Sequence, residues 1–274
     1  MTSPSIQADL AAACASAGLP VVSFIPEVGS TNDEALALAE AGAVDFTAVL
    51  AEEQRSGRGR RGRTWVSPPG AGMYLSIIVR DNGLGADVSL VTLAAGVAVA
   101  QAVGDVSGLP VELKWPNDVV IGRPWRKLAG ILCEASAIGT SEGVMVVGIG
   151  VNMQRAAYPP EVADRATSLD AECDRPVALI DLVVACLVRL REQVTLLRDG
   201  RGSAILEQWR QFGRDGLNNR AVTWSDSQGP RRGFSCGLSD TGALLVRVTD
   251  GSGSPARIEH LIAGDVQWER WSRD

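Results

Sequence analysis

With 274 residues, 46% of them hydrophobic and 21% charged, the chain can bury a sizeable core in one large domain or two and lies outside the composition of disordered sequences. A net charge of −6 argues against a surface suited as a whole to nucleic acid. Five scattered cysteines (Cys14, Cys133, Cys173, Cys186 and Cys236), none spaced Cys-x-x-Cys, argue against a disulfide framework or a structural zinc site and suit a reducing cytoplasm.

The first residues carry no cationic stretch followed by a long apolar run, so no signal peptide is expected. Alanine-rich Ile6 to Ser16 predicts a short helix ended by Gly18 and Pro20, and Val21 to Ile25 a strand. Ser30-Thr31-Asn32-Asp33 before the Ala/Leu run Glu34 to Ala41 is an N-cap signature with acids in the first turn. Phe46 to Ala51 predicts a buried strand, Tyr74 to Val79 another, and Ser89 to Val106 a buried helix. The apolar stretch Leu90 to Val103 is shorter than the roughly 18 to 20 residues of a membrane span. Val111 to Trp115, Lys127 to Glu134 and Gly143 to Val151 read as strands. Asp181 to Leu197 is the clearest helix, with Leu182, Val183, Cys186, Leu187, Leu190, Val194 and Leu197 on one stripe. Ser203 to Phe212 predicts a second helix. After Gly213 and Gly216 come short β-like runs, Arg220 to Trp224, Gly233 to Leu238, Ala243 to Arg247 and Ala256 to Ile262, split by turns at Asp240-Thr241-Gly242 and Asp250-Gly251. A domain boundary is expected near 214 to 218, and no long internal repeat is evident.

Between the second and third strands, residues 55 to 63 hold five arginines and three glycines. Like charges repel and glycines lose backbone entropy on ordering, so the segment reads as a mobile anion-binding loop. Gly57-x-Gly59-x-x-Gly62 matches a dinucleotide fingerprint, with Asp81 at about the expected spacing of 20 residues. The match fails because Ser67-Pro68-Pro69-Gly70 cannot continue the helix such a turn must open. No Gly-Lys-Ser/Thr follows either. The bland alternative is a solvated surface turn, but strands on both sides tie the loop to the core. Trp65 is either a core aromatic or a stacking platform.

Lys114-Trp115-Pro116-Asn117-Asp118 is good turn chemistry at a strand exit, where ligand sites concentrate, and its lysine and acid suit a nucleotide triphosphate with Mg²⁺. Lys127 opening an apolar strand that reaches Glu134 is by itself a snorkelling surface residue. Gly148-Ile149-Gly150-Val151-Asn152 reads as a strand-ending turn.

Taken in order, Ser-Thr-Asn at 30–32, Gly-Arg-Gly-Arg-Arg-Gly-Arg at 57–63, Lys-Trp-Pro-Asn-Asp at 114–118, Lys-Leu-Ala-Gly-Ile-Leu at 127–132 and Gly-x-Gly-x-Asn at 148–152 closely resemble the biotin protein ligases over residues 20 to 270. The resemblance implies an α+β fold. Residues 1–215 would form a mixed sheet flanked by helices, like class II aminoacyl-tRNA synthetases, and 216–274 a small SH3-like barrel. It implies activation of biotin by ATP to biotinyl-5′-adenylate, then transfer to one lysine of the carrier domain of acyl-CoA or pyruvate carboxylase. Lys127, Arg58, Asp118 and Lys114 would be catalytic. Ser30, Thr31, Asn32, Gln54, Gly57, Arg58, Gly59, Arg60, Lys127 and Gly130 would hold biotin. Arg58, Arg60, Arg61, Trp65, Asn117, Lys127 and Asn152 would hold ATP and the adenylate, with Trp65 stacked on adenine. Mg²⁺ would arrive with ATP, Asp118 being the candidate contact, and Asp118 is also a candidate to aid the acceptor lysine. The loop is expected to close over the adenylate and keep water from it.

With Ser-Thr-Asn at residue 30, no room is expected ahead of it for a DNA-binding domain of roughly 50 residues. No operator binding and no membrane association are expected, and a homodimer is allowed. Two rivals remain: a lipoate ligase with the same adenylate chemistry, and a nonenzymatic nucleic-acid binder using the arginine loop.

Overall fold

In the computed structural model, which describes residues 3–226, 229–248, 257–262 and 266–268, the chain builds two sheets. The first has seven strands in the order β1 (Val22–Val28), β2 (Ala48–Gln54), β3 (Gly72–Arg80), β7 (Val144–Asn152), β6 (Arg126–Ser136), β5 (Asp118–Ile121) and β4 (Glu112–Lys114). β1 and β2 run parallel and every other neighbouring pair antiparallel. The sheet is therefore mixed, as the resemblance implies.

Helices cover both faces. Against one lie α1 (Ser3–Ser16), α3 (Val91–Ser107), α5 (Leu179–Arg198) and α6 (Gly202–Phe212), which share the main core with the sheet. The predicted α5 stripe is buried at all seven positions. α3 is the central layer: Ala94, Ala95, Gly96, Ala98, Ala100 and Ala102 are buried, so its small side chains let neighbours approach. With the 3-10 turn before it, the helical run Gly85–Ser107 spans 23 residues, long and apolar enough to cross a membrane by length and composition. Here that apolar surface packs into the core. It ends at Gly108, whose φ of 74° is the left-handed cap glycine favours. On the opposite face sits α2 (Thr31–Glu40), with Ala35 and Ala39 on Val49, Ile78, Val144 and Val146.

Short α4 (Leu169–Glu172) precedes α5 and short α7 (Arg214–Leu217) follows α6 in the chain. The second sheet is antiparallel, in the order β11 (Arg257–Leu261), β10 (Leu244–Val248), β9 (Gly229–Leu238), β8 (Ala221–Asp226) and β12 (Gln267–Trp268), consistent with an SH3-like domain. The turn predicted at Asp250-Gly251 and the start of the last predicted strand at Ala256 lie outside the described residues. This sheet touches the first through Trp115, whose Nε1 donates to the Gly242 carbonyl at 3.0 Å. A Cβ at Gly242 would come within 2.7 Å of Leu93 and 2.9 Å of Leu90, so the turn lies pressed against α3.

Three features differ from the sequence reading. Gly148 and Gly150 do not end a strand; they sit inside β7, paired on both sides. Four-residue β5 begins at Asp118, so Pro116-Asn117 is the tip of a β4–β5 hairpin rather than an exit. Two-residue β12 completes the second sheet beside β8.

Candidate active site

Strand alternation builds the floor. Leu132 and Gly130 of β6, Gly148 and Gly150 of β7, and Ser76 and Tyr74 of β3 lie in cross-strand register on the α2 face of the sheet. α2 covers Ile78 and Val146. Past its N-terminus the floor consists largely of glycine. A Cβ at Gly148 would lie 2.3 Å from Asn32 Oδ1, and one at Gly150 2.5 Å from the Trp65 ring. One at Gly130 would meet Lys127 at 3.0 Å and Trp65 at 3.2 Å. The glycines thus admit Asn32 and Trp65 directly onto the sheet.

The α2 N-terminus forms the neutral end of the cavity. Ser30 caps the helix with its hydroxyl accepting from the Asn32 backbone N–H at 3.3 Å. The Thr31 N–H and hydroxyl both donate to Gln54 Oε1, at 2.9 and 3.0 Å, and Gln54 Nε2 donates to Ser67 Oγ at 2.9 Å. The Ser76 hydroxyl lies 2.6 Å from Asn32 Oδ1 and 2.7 Å from Thr31 Oγ1. Asn32 Nδ2 donates to Glu134 Oε2 at 2.6 Å. Ser30, Thr31, Asn32, Ser67 and Ser76 are all buried, so the network is fixed before any ligand arrives.

The arginine loop crosses above. Arg58 and Thr64 form a β-bridge, Gly59 N–H donates to the Arg63 carbonyl at 2.7 Å, and Trp65 N–H donates to the Gly57 carbonyl at 2.9 Å. A Cβ at Gly57 would sit 2.3 Å from the Trp65 carbonyl, so only glycine fits there. Repulsion among the arginines is offset by carboxylates distant in sequence. Arg55 pairs with Glu27, and Arg58 holds Asp33 through two bonds of 2.7 Å while reaching Glu134 at 2.9 Å. The Arg58 hydrogen bond pushes the Asp33 carboxyl below its ordinary range, and Asp33 and then Glu134 push the Arg58 guanidinium upward. Arg60 Nη1 lies 3.4 Å from Asn117 Oδ1, while Arg61 and Arg63 are exposed.

The cationic end is set by a β-bulge. Val119 pairs with Ala129, but Val120 pairs with Lys127, leaving Leu128 extra. Leu128 is fully buried in the core, and Lys127 opposite Val120 emerges on the site face. Lys127 Nζ lies 2.6 Å from Asp118 Oδ1 and 5.2 Å from the Trp65 ring centre. Lys114, Asp118, Gly130 and Gly150 form one cross-strand row. Asn117 is tied to β6, Nδ2 donating to the Ile131 carbonyl at 2.7 Å. Asn152 is similarly committed: Nδ2 donates to the Thr167 carbonyl at 2.8 Å and faces that of Lys127 at 3.3 Å.

Most of these groups border one cavity of ≈ 730 Å³, while Asp33, Ser67, Ser76 and Glu134 support its lining residues from behind. Of the residues predicted for the site, Gly57 alone is missing from its lining; it sits at the base of the arginine loop, its carbonyl accepting from the Trp65 N–H. The sequence reading missed Ser67, Ser76, Asp33 and Glu134 as partners, and also Trp125 and Trp268. These two tryptophans meet edge to face at 5.9 Å and bring the second sheet to the cavity rim. Asp33 and Glu134 adjoin the recognised motifs, but their pairing with Arg58 spans 25 and 76 residues and has no local signature. Among the described residues no three His, Cys, Asp or Glu side chains form a cluster that could hold a metal ion.

Comparison with known proteins gives a consistent result. The profile of the Biotin/lipoate A/B protein ligase family matches residues 28–152. The chain is 34% identical over 235 residues to a biotin–[acetyl-CoA-carboxylase] ligase of Paracoccus denitrificans, covering 82% of this chain and 93% of that protein. It is 32% identical over 248 residues to the bifunctional ligase/repressor BirA of Bacillus subtilis, covering 88% and 71%. The structure of a biotin protein ligase from Aquifex aeolicus in complex with biotin and ATP superposes with a TM-score of 0.75 at 26% identity, covering 91% of this chain and 99% of that one.

Proposed function

We propose, from the premise that this chain belongs to the biotin protein ligases of the biotin/lipoate A/B protein ligase family, that its acceptor is one lysine in the carrier domain of a biotin-dependent carboxylase. Acetyl-CoA or another acyl-CoA carboxylase is the first candidate and pyruvate carboxylase the second. Biotin and ATP are the substrates. The observation that carries the reading is the cavity's polarity, with a buried neutral donor–acceptor network at one end, Arg60, Lys114 and Lys127 at the other, and Arg58 crossing beside the first. A neutral urea suits the first and a carboxylate meeting a phosphate suits the second.

In the first step a biotin carboxylate oxygen attacks the α-phosphorus of ATP. The bond to the bridging oxygen breaks and pyrophosphate leaves. Two anions must approach, so cations that screen them lower the barrier. Lys127 would hold carboxyl and phosphoryl oxygens through both steps, and Arg58 and Arg60 the forming adenylate. Ser30, Thr31, Asn32 and Gln54 would hold the ureido ring, with Gly57, Gly59 and Gly130 allowing close backbone approach. Trp65 would stack on adenine, with Arg61, Asn117 and Asn152 along the nucleotide. Asn152 has both amide hydrogens turned toward protein carbonyls, so its carbonyl oxygen is the atom available to a ligand. In the second step the acceptor amine attacks the acyl carbon and AMP leaves, with Asp118 suited to take the amine's proton once Lys127 engages the phosphoryl group. Asp118 is a lone carboxylate beside Lys127, which fits Mg²⁺ carried mainly by ATP phosphates. Bound there, Mg²⁺ would neutralise phosphate charge.

Incubating the chain with ATP, Mg²⁺, biotin and a carboxylase carrier domain should add one biotin mass to the carrier. Pyrophosphate exchange should depend on biotin and not on lipoate. Exchange driven by lipoate, or an unmodified carrier, would overturn the reading.

A further inference from the structure

Glu134 is absent from the set of residues assigned to ligands above, yet one of its oxygens joins two of them. Its Oε2 accepts from Asn32 Nδ2 at 2.6 Å and from Arg58 Nη2 at 2.9 Å. Asn32 belongs to the buried network at the α2 N-terminus and Arg58 to the loop crossing above it. We propose that Glu134 is a positioning residue through which loop closure and capture of the biotin ring are coupled.

The chemistry of the Asn32 amide supports this. One of its hydrogens points at Glu134, and Nδ2 also lies 3.4 Å from the Leu132 carbonyl. Its Oδ1 faces the Ser76 hydroxyl at 2.6 Å. Reversing the amide would set its oxygen against a carboxylate and a carbonyl, two acceptors without a proton between them. Glu134 therefore selects the orientation in which Asn32 offers an acceptor to the ligand. Gly148 lies directly beneath, where a Cβ would come within 2.3 Å of Asn32 Oδ1.

Arg58 completes the coupling. It grips Asp33 on α2 with both terminal nitrogens and reaches Glu134 on β6 with one. Asp33 ties the loop to the helix; Glu134 alone of the two ties it to the sheet. A ligand that favours the observed Asn32 orientation favours Glu134 in place, and so favours Arg58 over the cavity. The converse holds by linkage.

The inference rests on the reading of Asn32 and Arg58 as biotin contacts, and the test separates the two. Glu134→Gln keeps the shape and removes the charge, Arg58→Ala removes the loop partner, and the double variant measures their coupling. Initial rates with the full chain should give Glu134→Gln a biotin KM raised about tenfold, with the ATP KM within about twofold. The melting temperature should stay within about 2 °C, because the side chain is partly exposed. The double variant should be no worse than Arg58→Ala within about threefold. An unchanged biotin KM in Glu134→Gln, with a raised one in Arg58→Ala, overturns the coupling alone. Equal rises in both KM values with a lower melting temperature also overturn it, in favour of a purely structural role. Unchanged biotin KM in Arg58→Ala and Asn32→Ala overturns the underlying reading as well.

Discussion

The two ends of the cavity solve recognition differently. At the neutral end Ser30, Thr31, Asn32 and Ser76 are 3%, 4%, 5% and 0% exposed, and hydrogen bonds join them to one another, to Gln54 and to Glu134. At the cationic end Lys127 keeps 33% of its side-chain surface exposed and is held by an ion pair that a ligand can replace. A fixed network loses little freedom on binding and discriminates by shape. Exchangeable ion pairs let charges follow the phosphorus and acyl centres as the reaction moves between them. The comparison predicts that changes at the neutral end act on biotin affinity, and those at the cationic end on rate.

The largest expected effect is at Lys127. Lys127→Ala should lower kcat by about 10²- to 10³-fold, as loss of one transition-state charge partner does elsewhere, measured by steady-state biotinylation of a carrier domain with biotin varied. A tenfold rise in biotin KM with normal kcat would erase the distinction between the ends. Next comes Gly148→Ala, whose methyl must displace Asn32 Oδ1 from 2.3 Å. Its biotin KM should rise at least about tenfold through the broken Asn32 bonds, with kcat less affected. Thr31→Val removes one donor to Gln54 and should raise biotin KM about fivefold, roughly 1 kcal/mol. A change in ATP KM instead would move Thr31 to the other end.

The smallest effect is a pH dependence. Arg58 lowers the Asp33 pKa below its ordinary 3.8. The stability this adds is therefore fully present above that value and lost as pH falls through the lowered one. The difference in melting temperature between the protein and Asp33→Asn should be small, constant from about pH 5 to 9, and shrink only under stronger acid. A difference that varied near neutral pH would assign the titration to another group. Separately, hydrogen exchange of residues 55 to 66 that slows on adding biotin and ATP would support closure of the loop on ligand; equal protection would exclude it.

Much of this arrangement was legible in the sequence because it is local. Ser30 before an Ala/Leu run marks a helix start, and the α5 stripe marks a buried face; both depend on neighbours within one or two turns. Gly148 and Gly150 were misread because a glycine pair locally signals a turn, whereas their purpose here is clearance for Asn32 and Trp65, which lie more than 80 residues away in the chain. β5 was hidden because four residues after Pro116-Asn117 carry too little periodicity to stand apart from the turn. Glu134 lay beside a recognised motif, but a carboxylate on a strand announces no partner until the strands are in register.

The bulge at Leu128 has a consequence for how the chain tolerates length changes. A strand is a two-phase pattern, and one extra residue is a half-period slip. It lets Leu128 face the core while Lys127 faces the cavity, although regular alternation counted from Gly130 would assign them the reverse. Deleting Leu128 would restore the regular phase with Lys127 two positions from Gly130, so the lysine would still face the cavity and the core would lose a fully buried leucine. A one-residue deletion here should thus lower the melting temperature through the missing core side chain while sparing turnover far more than Lys127→Ala does, because the extra residue fills the core and its removal leaves the lysine's direction unchanged.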